Sequence, residues 1–200
     1  PPTAQAATRS AKQFESTVTA ARTLEVQKYE DAYRHDDYRL GDRRRIHITD
    51  HLARIPKGSL LDVSTGRGET LQIARDLGHR PVQGTEAVEY LCDDLNIVHA
   101  LGHDLPFADD SYDTVTMFDV MEHLLPEDTK AVCQELARVA NRRVLLTVHN
   151  GSHRYRGTEL HVNRRPSYEA WHIELEHHFK RTVIRHGKAN SISEMFEVAL

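Results

Sequence analysis

Two hundred residues make one domain, or one domain with a terminal appendage. Only 39% are hydrophobic, 28% are charged, mean hydropathy is -0.58, and no apolar run approaches the ~18 residues of a membrane span, which excludes a transmembrane protein. A net charge of -4 excludes a generally basic nucleic-acid binder, and two cysteines, Cys92 and Cys133, exclude a disulfide framework or a four-cysteine zinc site.

Residues 1–24 are rich in Ala, Thr and Ser, with Phe14, Val18 and Ala21 at helical spacing, which suits either a frayed helix or a mobile arm. Residues 25–41 are dense in charge and tyrosine (Tyr29, Tyr33, Tyr38) and end at Gly41. Asp42 is placed to cap a helix carrying Ile46, Leu52 and Ile55, stopped by Pro56 and Gly58. The expected division is an N-terminal helical arm or lid over 1–41 and a domain over 42–200.

From Ser59 the rhythm becomes strand–helix alternation. Strands are expected at Leu60–Ser64, Pro81–Thr85, Asn96–Ala100, Tyr112–Phe118, Arg143–Val148, Phe179–Arg185 and Ile192–Val198. Helical stripes fall between them: Leu71, Ala74 and Leu77; a short helix over 87–93; Val132, Leu136 and Val139 behind Pro126; then Tyr168, Trp171 and Leu175. Such alternation implies parallel strands with right-handed crossovers. The last two strands, joined by a short turn at Gly187 and Asn190, must be antiparallel. The fold class is α/β: a doubly wound, Rossmann-like, seven-stranded sheet in a single domain, mostly parallel with an antiparallel last strand.

Ligands bind such sheets outside the carboxyl ends of the strands. The first strand ends there in Leu61-Asp62-Val63-Ser64-Thr65-Gly66-Arg67-Gly68, whose glycines let the backbone approach a ligand without a Cβ in the way. Asp62 is a carboxylate on an apolar strand, costly to bury without a partner. Glu86 follows the second strand, where an acid accepts both hydroxyls of a ribose. A dinucleotide is disfavoured, because Leu71 stands where the third glycine belongs and Glu69 at the helix start repels a diphosphate. A P-loop fails for want of Gly-Lys-Ser/Thr. What remains is a nucleoside without phosphates and with a cationic or zwitterionic end.

Leu60–Gly68, Val82–Glu86, Gly102-His103-Asp104-Leu105-Pro106-Phe107, Ser111–Val115 and Phe118-Asp119-Val120-Met121-Glu122-His123-Leu124 together resemble class I S-adenosylmethionine-dependent methyltransferases, nearest the broad small-molecule and quinone-type subgroup. The resemblance runs in order from about 42 to 150 and loosely to 200. It implies that Asp62, Gly66 and Gly68 surround the methionine end of S-adenosylmethionine and that Glu86 holds the ribose. It further places Asp104 and Leu105 at the adenine, and Asp119 and Val120 in the pocket wall. Ser64 departs from the family's first glycine; as the smallest substitute with a donor, it is expected to preserve binding.

Asp119, Glu122 and His123 form a D-x-x-E-H spacing whose positions share one helical face. Some superfamily members, small-RNA 2′-O-methyltransferases and certain quinone O-methyltransferases among them, place a comparable group on a divalent metal beside the acceptor hydroxyl. The other reading is a local cap, as in metal-free relatives. The expectation taken forward is metal-free, since Asp119 is also claimed by the cofactor pocket and a fourth ligand would have to come from His149 or His161. For a general base the candidates are His149, His161 and His123.

Residues 151–188 hold eight Arg or Lys against four acids, with Tyr155 and Tyr168 interleaved. That suits a solvated rim, a small acceptor with an anionic group, or nucleic acid, which is the less favoured partner. The expected function is methyl transfer from S-adenosylmethionine to an O or N nucleophile of a small acceptor. A metal-assisted RNA-type methyltransferase and a non-catalytic S-adenosylmethionine-binding module are the alternatives. No membrane partner is expected, and sparse cysteines point to the cytoplasm. Oligomeric state is left open.

Overall fold

The structure is a computed structural model that describes residues 4–92, 96–188 and 193–200. Helix α1 (Ala4–Tyr33) is one continuous helix, followed by α2 (Asp42–Arg54). Gly41, not Asp42, holds the capping position of α2; Asp42 sits inside the first turn, where its charge still complements the helix dipole. Alternation then begins with β1 (Leu60–Val63), α3 (Glu69–Asp76), β2 (Val82–Glu86), β3 (Ile97–His99) and β4 (Tyr112–Phe118). It continues through α4 (Thr129–Val139), β5 (Ala140–His149), a small hairpin β6 (Arg154–Tyr155) and β7 (Thr158–Glu159), α5 (Tyr168–Phe179), β8 (Val183–Lys188) and β9 (Ser193–Ala199).

The main sheet has seven strands in the order β3-β2-β1-β4-β5-β9-β8. Strands β3 to β5 pair in parallel, and β9 runs antiparallel to both β5 and β8. The chain steps outward from β1 to β3 and then returns to β4 beside β1, so order reverses between β1 and β4. Strand β1 is buried along its whole length, as a central strand covered on both faces must be. One face packs Ile48 and Leu52 of α2 with Leu71, Ile73 and Ala74 of α3. The other packs Val132 and Leu136 of α4 with Trp171 and Leu175 of α5. Ser167 caps α5, its Oγ accepting from the Ala170 N–H at 3.1 Å.

Three expected elements differ. The helix over 87–93 shrinks to one 3-10 turn, Glu89–Leu91, while residues 93–95 lie outside the described ones. Phe179 does not start a strand; it closes the apolar face of α5, and β8 begins at Val183. Gly187 lies within β8 at a register shift rather than in a turn, and Asn190 is outside the described residues. Among the described residues no helix is long and apolar enough to cross a membrane.

Candidate active site

A cavity of 530 Å³ opens at the carboxyl ends of β1, β2, β4 and β5. Its floor is the loop after β1. Ser64, Gly66 and Gly68 all have left-handed backbones, with φ of 60°, 58° and 79°. Ser64 therefore occupies a conformation that glycine adopts without strain and serine does not. The Gly66 N–H donates to Glu86 Oε2 at 2.8 Å, while the Ala87 and Val88 N–H groups donate to Oε1 at 2.8 and 3.1 Å. Burial pushes the Glu86 carboxyl up, and these N–H donors pull it back down. Asp62 is wholly buried and accepts from Thr116 Oγ1 at 2.5 Å; burial pushes its carboxyl up to about 6.

Asp119 follows β4 with φ of 54°, its N–H donating to the Thr147 backbone carbonyl and Oγ1. Its Oδ2 lies 2.7 Å from Nε of Arg44, and its Oδ1 is buried with no hydrogen-bond partner. Val120 stands beside it in the cavity wall, with Ser64 and Gly66 below.

Two residues expected at the adenine, Asp104 and Leu105, do not line the cavity. Asp104 is exposed, and Leu105 is in the core with its N–H donated to Glu135 Oε2 at 2.9 Å; Leu101, Gly102 and His103 line the cavity instead. Leu101 and Asp104 form an isolated antiparallel bridge, which turns the chain so that the residues just before Asp104 face inward. Gly68 likewise stands behind the wall, against Ile97 and Leu71.

The candidate bases separate by depth. His123 and His149 line the cavity, as does His153, whereas His161 is buried behind them. The His161 ring packs edge-on against His123, His149 and His153, with centroids 4.6, 4.7 and 5.3 Å away. Burial lowers the pKa of all four, His161 to about 4 and His123 well below its ordinary range. They are neutral imidazoles at pH 7, able to accept a proton or a cation.

The D-x-x-E-H spacing is not one helical face. Met121–His123 is a single 3-10 turn, and Asp119 lies outside it with a left-handed backbone. Among the described residues the ligand atoms that converge are those of Glu122, His123 and His161, all within 4.8 Å of one another. Glu122 Oε1 accepts from the His149 N–H at 2.9 Å, and Oε2 has no partner; burial, with Asp119 nearby, pushes this carboxyl well above its usual range.

Sequence reasoning placed a lid here only in outline. Arg22, Val26, Tyr29 and Tyr33, spaced four, three and four apart, form one face of α1 and line the cavity. Tyr29 hydrogen-bonds His123 Nδ1, and Arg22 pairs with Asp128 at 2.5 Å. Tyr38 packs between Tyr33 and Tyr155, both centroids 5.0 Å away. Three of the eight basic side chains of 151–188 pair with acids: Arg165 with Glu174, Arg185 with Glu169 and Glu194, and Arg156 with Asp37.

Residues 61–148 match the family model described as a methyltransferase domain. None of the curated proteins matches the chain. Among solved structures, a protein of Pyrococcus horikoshii is similar with a TM-score of 0.62 and 16% identity, over 82% of this chain and 93% of its own. The 1,6-didemethyltoxoflavin-N1-methyltransferase of Burkholderia thailandensis, with 1,6-didemethyltoxoflavin and S-adenosylhomocysteine bound, gives 0.57 and 17%, over 100% of this chain and 91% of its own. The magnesium protoporphyrin IX methyltransferase of Synechocystis, with S-adenosylhomocysteine bound, gives 0.57 and 16%, over 90% and 98%. Residues 61–148 are thus similar to a methyltransferase domain, and the chain shares the fold of two methyltransferases solved with S-adenosylhomocysteine bound. The cavity would suit S-adenosylmethionine: its floor is glycine backbone, Asp62, Glu86 and Asp119 line it, and Asp119 Oδ1 is a buried acceptor without a hydrogen-bond partner.

Proposed function

We propose that the chain methylates an O or N nucleophile of a small acceptor, with residues 1–41 closing the site as an arm. The observation that carries this reading is a glycine loop tied to Glu86 at the floor of a single 530 Å³ cavity, a size suited to small ligands. Two structural neighbours are named for small acceptors, and Arg156, Arg165 and Arg185 of the basic stretch are already paired with acids.

When bound, S-adenosylmethionine supplies a methyl group already activated by its sulfonium. The protein's task is to hold the nucleophile in line and keep water out, which accounts for most of the acceleration. Asp62, Ser64, Gly66 and Asp119 surround the methionine end, with Gly68 supporting the turn; Glu86 takes the ribose hydroxyls on its remaining lone pairs. Val120, Leu101 and His103 border the base. For a hydroxyl acceptor, His149 or His123 receives the proton at a ring nitrogen, and His161 orients them from behind.

Calorimetry with S-adenosylhomocysteine, NAD and ATP tests the cofactor placement. Binding is expected for the first alone, and Glu86→Ala should weaken it by ~1.5–3 kcal/mol, the worth of hydrogen bonds to a charged group. Undiminished affinity in that variant would move the ribose elsewhere. Tight binding without turnover over a broad acceptor panel would identify a binding module instead.

The convergence of Glu122, His123 and His161 favours a second, metal-assisted reading. Each imidazole has Nδ1 against a backbone carbonyl, His161 on Gly151 at 2.6 Å and His123 on Leu160 at 3.1 Å, an arrangement that turns Nε2 toward a ligand. His161 Nε2 and Glu122 Oε2 are buried without partners. A divalent ion there would lower the pKa of an acceptor hydroxyl. Titration with Co²⁺, followed by its visible absorption, should then show one equivalent bound, weakened about tenfold or more by His161→Ala, with S-adenosylhomocysteine affinity unchanged. Absence of a saturable spectrum leaves the metal-free reading standing alone.

A further inference from the structure

We propose that the acceptor is a small basic amine, and that Glu25 of α1 receives its ammonium at the end of a wall of tyrosine rings. The assignment rests on the methyl transfer proposed above and names the class of its acceptor. It replaces the anionic acceptor group expected from the basic stretch 151–188.

Glu25 shares the cavity-lining face of α1 with Arg22 and Tyr29, one helical turn from each. Its side chain is 17% exposed; Oε1 accepts from Lys28 Nζ at 2.6 Å, and Oε2 is buried with no hydrogen-bond partner. Neither neighbour on that face supplies the missing donor. Arg22 is committed to Asp128 through Nε and a terminal nitrogen, and the Tyr29 hydroxyl to His123 Nδ1 and the Leu160 carbonyl. Asp119 Oδ1 is likewise open, but it belongs to the proposed methionine end of the cofactor. Glu25 is left holding an acceptor atom for something else.

The surroundings select a cation. Seven carboxylates against four guanidiniums line the cavity, and two of those guanidiniums, on Arg22 and Arg44, are already paired with Asp128 and Asp119. Such a lining draws in a cation and repels an anion. Tyr29, Tyr33 and Tyr38 continue the wall from Glu25, with the Tyr29 and Tyr33 rings 6.4 and 5.0 Å from that of Tyr38. Tyrosine rings attract an alkylammonium to their negative faces. An ammonium gives Glu25 Oε2 the donor it lacks, whereas a carboxylate there would set two anions face to face. For transfer, the ammonium yields one proton to solvent, and its lone pair forms the N–C bond as the S–C bond breaks. The positive charge passes from sulfur to nitrogen, and the thioether leaves neutral.

The probes are phenethylamine and its uncharged and anionic counterparts, phenethyl alcohol and hydrocinnamate. Their affinities for the full chain saturated with S-adenosylhomocysteine are measured by ligand-observed NMR titration, and circular dichroism verifies the fold of each variant. The amine should bind about tenfold or more tightly than either counterpart. Glu25→Gln should weaken the amine about tenfold or more and leave S-adenosylhomocysteine within about twofold, while Glu25→Asp should recover part of the loss. An amine with no advantage over hydrocinnamate in the parent chain, or full amine affinity in Glu25→Gln, overturns the proposal. The exocyclic amine of adenine offers Glu25 the same N–H chemistry, and S-inosylhomocysteine, in which oxygen replaces that amine, separates the two sources. If Glu25→Gln weakens S-adenosylhomocysteine but not S-inosylhomocysteine, Glu25 reads the cofactor's base and the amine acceptor is overturned. Failure of the unaltered chain to bind S-adenosylhomocysteine is a different result: it removes the cofactor placement itself.

Discussion

Gly66→Val is expected to abolish S-adenosylhomocysteine binding while the chain still folds. Gly66 has φ of 58°, a region in which a β-branched side chain is strained by about 1–3 kcal/mol. A Cβ there would sit 2.5 Å from the Tyr33 hydroxyl, forcing that ring or the loop aside. The loop cannot shift freely, because the Gly66 N–H is bound to Glu86, so the loop and Glu86 are disturbed together. Calorimetry should show no measurable heat of binding, against a far-ultraviolet circular dichroism spectrum like that of the parent. Parental affinity in a folded variant would mean that the loop does not touch the cofactor.

The largest expected effect on stability belongs to Asp62→Asn. Burial lifts the Asp62 carboxyl to about 6, against an ordinary value near 4, so the fold prefers its neutral form. A carboxyl raised in this way is at no disadvantage below its unfolded pKa. Stability is lost as pH climbs through about 6, to the extent of about 3 kcal/mol for a two-unit shift. Asparagine mimics the neutral acid at every pH. Urea unfolding should therefore show the variant gaining up to about 3 kcal/mol on the parent between about pH 4 and about pH 7.5. A difference that stays constant over this range would show that Asp62 is not held in a hostile site. Retaining a charge-averse carboxyl at the end of β1 makes sense where a bound cation or hydroxyl relieves it, a trade of stability for binding.

What was legible in the amino-acid order is what short-range rules encode. The β-branched run Tyr112–Phe118 became β4 to the residue, and the apolar Leu60–Val63 became the buried β1. The loop from Ser64 to Gly68 took the left-handed turns that its glycines allow. Even Ser64 took a left-handed backbone there, with φ of 60°, because the turn imposes it.

The occupants of the site followed another logic. The spacing of Asp119, Glu122 and His123 assumed an α-helix, but a 3-10 turn carries the last two and leaves Asp119 to Arg44. His161 joins Glu122 and His123 only because the β6–β7 hairpin folds back beside the end of β5. Tyr29 reaches His123 across 94 residues and Arg22 reaches Asp128 across 106. Period and turn chemistry act over a few residues, so strands, helices and the glycine loop were determined by the sequence itself. Which side chains meet above that loop was decided by the sheet, which gathers the carboxyl ends of β1, β2, β4 and β5 at one edge and lets α1 and α2 close over them.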